Sequence, residues 1–154
     1  MALKPKEQVL FWIIAASIFL IDRIAKFAVV KTLLPGTSIP VLPFFHFTRI
    51  HNTGTLFGLL PGAKWFFLVL AIAVMLFIIL RYAFFIPKIR IALALVLGGA
   101  AGNLFDRIIY GYVIDFLDFR IWPAFNLADA AITIAVILLL FFEFCKLGRK
   151  ESAK

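Results

Sequence analysis

Residues 98–133 read GGAAGNLFDRIIYGYVIDFLDFRIWPAFNLADAAIT. One apolar run ends in this stretch near Ile109 and another begins near Phe125. Four carboxylates, Asp106, Asp115, Asp118 and Asp129, lie inside or beside these runs. A charge at the centre of a bilayer costs about 2.5–3.5 kcal/mol even on the lenient insertion scale. Acids kept in such places therefore point to a use. Asp115 and Asp129 flank one short connection, entered through a Gly111 turn and left through Pro123, which fits just ahead of a helix start.

Outward from this stretch the chain is apolar. Hydrophobic residues make up 64% of its 154 positions and mean hydropathy is +1.08. Soluble domains lie nearer 45–50% apolar. The composition predicts an integral membrane protein of one domain, 1–154. Four stretches, about 9–30, 65–85, 91–109 and 125–144, are long enough to cross a bilayer as helices. The first run continues well past 15 residues with no small-residue cleavage site after it. It therefore reads as a span and not as a cleavable signal peptide.

Lysine and arginine set the expected orientation. With both termini cytoplasmic, the inside segments 1–8, 81–90 and 146–154 hold nine basic residues, and the longer outside segments 31–64 and 107–124 hold five. The formal charge of +8 thus belongs to topology and lipid headgroups, and no nucleic-acid partner is expected. The outer segment 35–64 is bounded by Pro35-Gly36 and Pro61-Gly62 turns. Between them IPVLPFFHFTRI is aromatic and β-branched, which predicts a small β structure on the outer membrane surface. The expected fold is all-α and polytopic, with four transmembrane helices and a β-rich cradle.

Several polar groups in the apolar runs invite a functional reading, each with a plainer one beside it. Gly98 and Gly102 form G-x-x-x-G, a spacing that lets helices approach closely. Gly99, Asn103 and Arg107 share one helix face; for the glycines a packing groove is the plain reading. Asn126, Asp129 and Thr133 project to one side of the fourth span. The plain reading of Asp129 is a charge at a helix start, which its expected position some turns into the span disfavours. Asp115 alone reads as an interfacial acid paired with Arg107 or Arg120. Asp22 and Lys26, four apart, read as a local ion pair.

The chemical case rests on Asp115 and Asp129 together. Two carboxylates held close cannot both ionise readily, so they share a proton. The ionised member takes a proton from water and the neutral one donates to a carbonyl oxygen, which is acid–base hydrolysis of an amide without a covalent intermediate. Ser17 and Ser38 have no histidine within a few positions in sequence, and Cys145 stands alone among basic residues at the inner face. His46 and His51 are poorly spaced for zinc. No metal and no cofactor are expected.

These segments together resemble the lipoprotein signal peptidase (signal peptidase II) family. DRIAK at Asp22–Lys26, NTGTLFG at Asn52–Gly58, GGAAGNLFDR at Gly98–Arg107, VIDF at Val113–Phe116 and FNLAD at Phe125–Asp129 occur in the family's order across nearly the whole chain. The resemblance implies a four-span aspartyl endopeptidase of the bacterial cytoplasmic membrane. It would cut the signal peptide from prolipoproteins just before a cysteine carrying diacylglycerol. It implies that Asp115 and Asp129 are the catalytic pair and that Asp106 is structural. It further implies that Asp22, Lys26, Asn52, Gly54, Gly99, Asn103, Arg107, Asn126 and Ala128 contact substrate and inhibitor. Globomycin, a cyclic peptide antibiotic, is the implied inhibitor, and membrane phospholipid is a further partner. The implied site lies at the outer leaflet, served by a lipid-open groove between the third and fourth spans. Arg23 and Ala25 stand where the family usually has glutamine and threonine, Leu56 where it has alanine, and the stretch between the two aspartates looks short. One chain carries both acids, so a monomer is expected. The rival readings are a small proton-coupled transporter, since intramembrane acids also form proton relays, and a non-catalytic membrane adaptor.

Overall fold

The computed structural model describes residues 4–53 and 64–151. Helix α1 runs Pro5–Thr32, followed by strands β1 (Ser38–Leu42) and β2 (Phe45–Asn52). Helix α2 (Lys64–Arg81) continues into a 3-10 turn, Tyr82–Phe84, and leads to α3 (Pro87–Ile109). Strand β3 (Val113–Asp118) and helix α4 (Leu127–Glu151) complete the chain. Among the described residues three segments are long and apolar enough to cross a membrane: Trp65–Phe84, Pro87–Ile109 and Leu127–Lys146. Helix α1 is longer than any of them, at 28 residues, and carries Asp22, Arg23, Lys26 and Lys31 in its second half.

Helix α3 is the centre of the bundle. It packs against α1 on one side, α4 on another and α2 on a third, whereas α2 makes no comparable contact with α4. Small residues allow this. A Cβ at Gly99 would lie 2.6 Å from the Ala128 carbonyl oxygen and 2.9 Å from Ile132 Cγ1 of α4. A Cβ at Gly102 would lie 2.6 Å from Asp22 Oδ2 of α1. The glycines that sequence spacing marks as a packing groove thus seat a backbone and a carboxylate. The expected groove between α3 and α4 is closed at this level. At the other end of the same two helices a cavity of about 690 Å³ lies between the start of α3 and the second half of α4, lined by Phe84, Phe85, Lys88, Leu139, Phe142 and Glu143 among others. On the opposite flank Phe11 and Ala15 of α1, Ile78 of α2 and Leu93, Ala94 and Leu97 of α3 form a buried apolar cluster.

The β structure expected from 35–64 is present as the β1–β2 hairpin, with Ser38 opposite Thr48 and Pro40 opposite His46. It is held to the helices by Arg49, whose Nη1 donates to the carbonyls of Leu33 (3.0 Å) and Val30 (3.3 Å) at the end of α1. Last-turn carbonyls have no partner within their own helix, so a guanidinium is a natural cap. The turn at Pro61-Gly62 and the Gly54 position lie outside the described residues.

A third strand is the main difference from the sequence reading, which treats 113–118 as a connection. Strand β3 pairs antiparallel with β2, with Asn52 opposite Val113 and Ile50 opposite Asp115, and the register shifts between Phe47 and Ile50. The reason is burial. Val113, Ile114, Asp115 and Phe116 are all buried, and buried backbone must find hydrogen-bond partners. Ile114 and Phe116 pack with Val29 and Leu33 beneath the sheet. The chain then closes on itself: Leu117 N donates to Phe125 O (2.8 Å) and Phe125 N to Leu117 O (3.1 Å). That closure fixes where α4 begins.

Replacing Gly99 by valine should separate α3 from α4 and cost about 1–3 kcal/mol, the usual effect of overpacking. Thermal unfolding in detergent checks this. An unchanged midpoint would mean that the two helices do not meet there.

Candidate active site

Two local devices bring Asp115 and Asp129 together. The first is the sheet. Asn52 on β2 and Asp115 on β3 are diagonal neighbours, a spacing across which long side chains interact, and Asn52 Nδ2 donates to Asp115 Oδ2 at 2.9 Å. The second is the start of α4. Asn126 precedes the helix and Asp129 is its third residue. Asp129 N donates to Asn126 Oδ1 (2.9 Å) and Asn126 N donates to Asp129 Oδ2 (3.2 Å). This is a reciprocal capping box. Asp129 therefore sits in the first turn of α4, not some turns inside it. Its place at the helix start and its place in a carboxylate pair are the same feature.

Asn126 joins the two acids. Its Nδ2 donates to Asp115 Oδ1 at 2.7 Å while its backbone holds Asp129. Asn103 on α3 completes the ring: Asn103 Nδ2 donates to Asp129 Oδ1 at 2.7 Å, and Asn126 Nδ2 also reaches Asn103 Oδ1 at 3.1 Å. Among the described residues each of the four carboxylate oxygens thus receives one N–H, and every one of these donors is a neutral amide. Asp115 is 2% exposed. Burial and the neighbouring charge of Asp129 push its carboxyl up to about 7, against the hydrogen bonds of Asn52 and Asn126 and the charge of Lys26, which pull it down. A carboxyl with that affinity holds a proton near neutrality and can act as an acid.

Behind the asparagines lies a buried ion cluster. Lys26 Nζ reaches Asp22 Oδ2 at 2.9 Å, Asp106 Oδ2 at 2.8 Å and Asn103 Oδ1 at 3.0 Å. Arg23 bridges the same two acids, Nη1 to Asp106 Oδ1 at 2.6 Å and Nη2 to Asp22 Oδ2 at 3.1 Å. Asp22 Oδ1 accepts from Ala128 N (3.1 Å) and Asp106 Oδ2 from Ile114 N (3.2 Å). The cluster thereby ties α1 and α3 to the first turn of α4 and to β3.

The candidate residues fall into three groups. Asp115, Asp129, Asn52, Asn103 and Asn126 converge on one site. Asp22 and Lys26 are enclosed and fully partnered, and Gly99 and Ala128 meet at the α3–α4 contact. Arg107, one turn beyond Asn103, has its guanidinium 6.0 Å from the Phe67 ring of α2 and its charge felt by Asp115 and Asp129. Gly54 is outside the described residues. Neither Arg107 nor Arg120 forms an ion pair with Asp115 among the described residues; Arg120 pairs with Asp118 instead, at 3.2 Å. Arg23 is the residue that sequence reasoning passed over. Its signal was present as a base one residue from Asp22, with a second buried acid, Asp106, in need of a partner.

The family model described as signal peptidase (SPase) II matches residues 14–145. A lipoprotein signal peptidase of Desulfitobacterium hafniense is 47% identical over 149 residues, covering 92% of this chain and 97% of that protein. One of Moorella thermoacetica is 44% identical over 133 residues, covering 84% and 89%. A solved bacterial membrane enzyme, determined by the in meso method at 2.3 Å resolution, superposes with a TM-score of 0.84 at 29% identity, covering 92% of this chain and 91% of that one.

Carbon-13 NMR of labelled aspartate in detergent should find one carboxyl titrating near neutrality, lost in Asp115→Asn. In Asn52→Ala, which removes a hydrogen bond favouring the charged form, its midpoint should move upward. Titration of Asp115 near pH 4 would contradict the enclosed pair.

Proposed function

The chain belongs to the signal peptidase II family, a membrane peptidase that removes the signal peptide from prolipoproteins, and on that premise we propose that Asp115 and Asp129 are its catalytic pair. The observation that carries this reading is the bridge through Asn126, which holds both carboxylates at once. A water between them loses a proton to the ionised member as it attacks the scissile carbonyl. The neutral member donates to the carbonyl oxygen. The tetrahedral adduct then collapses, with the departing amine taking a proton from the pair. The cut falls before the cysteine that carries diacylglycerol.

Asn52, Asn103 and Asn126 position the pair, and Arg107 holds the peptide backbone. Asp22, Lys26, Gly99 and Ala128 act through the packing of the site, and Gly54 contributes from the segment after β2. The chain is one integral membrane domain, 1–154, with four spans. Helix α1 is the fourth span: its length supports this, and its mid-helix charges Asp22, Arg23 and Lys26 pair with one another and with Asp106 of α3 instead of facing lipid. Both termini are cytoplasmic and the site opens at the outer leaflet of the bacterial cytoplasmic membrane. Trp122 (63% exposed) and Ile121 (92% exposed) sit between β3 and α4, where interfacial side chains anchor a protein to the headgroup layer. The signal peptide enters as a helix from surrounding phospholipid along the side between α2 and α4, which do not pack on each other among the described residues. The enzyme works as a monomer, since one chain supplies both acids, and globomycin competes for the same opening. A proton-coupled transporter or a non-catalytic adaptor is not favoured by the relatives, which are peptidases by name.

Purified protein should cleave a diacylglyceryl-modified prolipoprotein before its lipidated cysteine and be blocked by globomycin. Asp115→Asn and Asp129→Asn should each lower turnover roughly 10³-fold with little change in unfolding temperature. Wild-type rates in either variant would refute the assignment of the pair.

A further inference from the structure

The buried cluster behind the dyad contains two acids and two bases. Asp22 and Asp106 are 0% exposed, Lys26 1% and the Arg23 side chain 16%. An ammonium has three N–H donors, and Lys26 places one on Asp22, one on Asp106 and the third on Asn103. Asn103 in turn donates to Asp129. A single buried cation facing two buried carboxylates would leave one negative charge without a counterpart, which is strongly unfavourable. Lys26 would then be drawn towards the acids and away from Asn103. Arg23 removes that imbalance. Its planar guanidinium reaches both acids through two different nitrogens, and it lies 4.8 Å from the Phe105 ring.

We propose that Arg23 is a positioning residue for the reaction: by balancing Asp22 and Asp106 it leaves Lys26 free to hold Asn103, and through Asn103 the carboxylate of Asp129. This rests on the proposed catalytic pair. Arg23 touches neither substrate nor the reacting atoms. It acts through Lys26 and Asn103, and through the net charge behind the dyad. The charged groups that face the dyad are Asp22, Arg23 and Lys26 from α1 and Asp106 and Arg107 from α3. From β2 the facing group is the neutral Asn52. Removing Arg23 therefore adds one uncompensated negative charge to this set. A negative charge makes each member of the pair hold its proton more tightly. Both limbs of the pH–rate profile then move upward together. A unit charge roughly 10 Å away through an effective dielectric of about 20 displaces them by about one pH unit.

The test compares full-length wild type, Arg23→Gln, Arg23→Lys, Asp106→Asn and the double variant Arg23→Gln/Asp106→Asn. Each is assayed for kcat/KM against pH on a diacylglyceryl-modified prolipoprotein, and for thermal unfolding. Arg23→Gln should shift the profile up by about one unit and lower kcat/KM on its acid limb by up to about tenfold. Arg23→Lys should keep the wild-type limbs. Asp106→Asn, which leaves the opposite imbalance, should shift the profile down; it reads the same coupling if Arg23→Gln does not fold. The double variant, balanced again, should return the limbs to their wild-type positions. If Arg23→Gln lowers only the unfolding temperature, with superimposable profiles for it and for Asp106→Asn, Arg23 is purely structural and the proposal is overturned. A wild type that leaves the substrate intact defeats the catalytic reading itself, which is a different result.

Discussion

Three buried acceptors converge on the ammonium of Lys26: a carboxylate oxygen of Asp22 on its own helix, one of Asp106 on α3, and the amide oxygen of Asn103. In an apolar chain such a charge is tolerated only when paired and hydrogen-bonded, so this contact constrains what surrounds it. It fixes the rotation of α1 against α3. It requires Gly102, because a side chain there would occupy the space of the Asp22 carboxylate. Asp22 also accepts from Ala128 N and Asp106 from Ile114 N, so the same centre positions the first turn of α4 and the first half of β3. Those are the two elements that carry the dyad.

The dyad is then assembled from ordinary local structure. A cross-strand diagonal places Asn52 against Asp115, a capping box places Asp129 against Asn126, and the Leu117–Phe125 bridge brings the two ends together. All donors to the four oxygens are neutral amides, so orientation is supplied without counter-charge and the pair retains its proton affinity. Arg107 and the ion cluster stand outside this ring and set its electrostatic background. The proposed chemistry sits where the polypeptide is least helical, at the seam between the sheet and the bundle.

Much of this was legible in the chain. The four helices occupy the apolar runs, the hairpin follows from IPVLPFFHFTRI between its turns, and the polar residues of the GNLFDR and FNLAD segments meet in space. Three things were not. Strand β3 reads as a connection because its partner, Asn52 opposite Val113, is remote in sequence and its acids mask the alternation. The true start of α4 is hidden because the apolar run begins at Phe125, ahead of the Asn126 cap; the Asn-x-x-Asp spacing was the available signal. The expected groove between α3 and α4 is absent at Gly99, which serves contact with Ala128; the cavity these helices do line lies at their other end. Arg23 is a fourth case, a base whose role depends on Asp106, an acid on another helix. The base beside Asp22 is visible locally, but its second partner is remote in sequence.

In the proposed mechanism an aspartate pair activates water directly at the membrane surface, without a covalent intermediate. Its most direct test is cleavage of a diacylglyceryl-modified prolipoprotein by the wild-type protein in oxygen-18 water containing hydroxylamine, with mass spectrometry of the released signal peptide. Direct attack by water gives a free carboxylate carrying one solvent oxygen and no hydroxamate at any hydroxylamine concentration. A signal-peptide hydroxamate that rises with hydroxylamine would reveal an acyl-enzyme and contradict the aspartate mechanism.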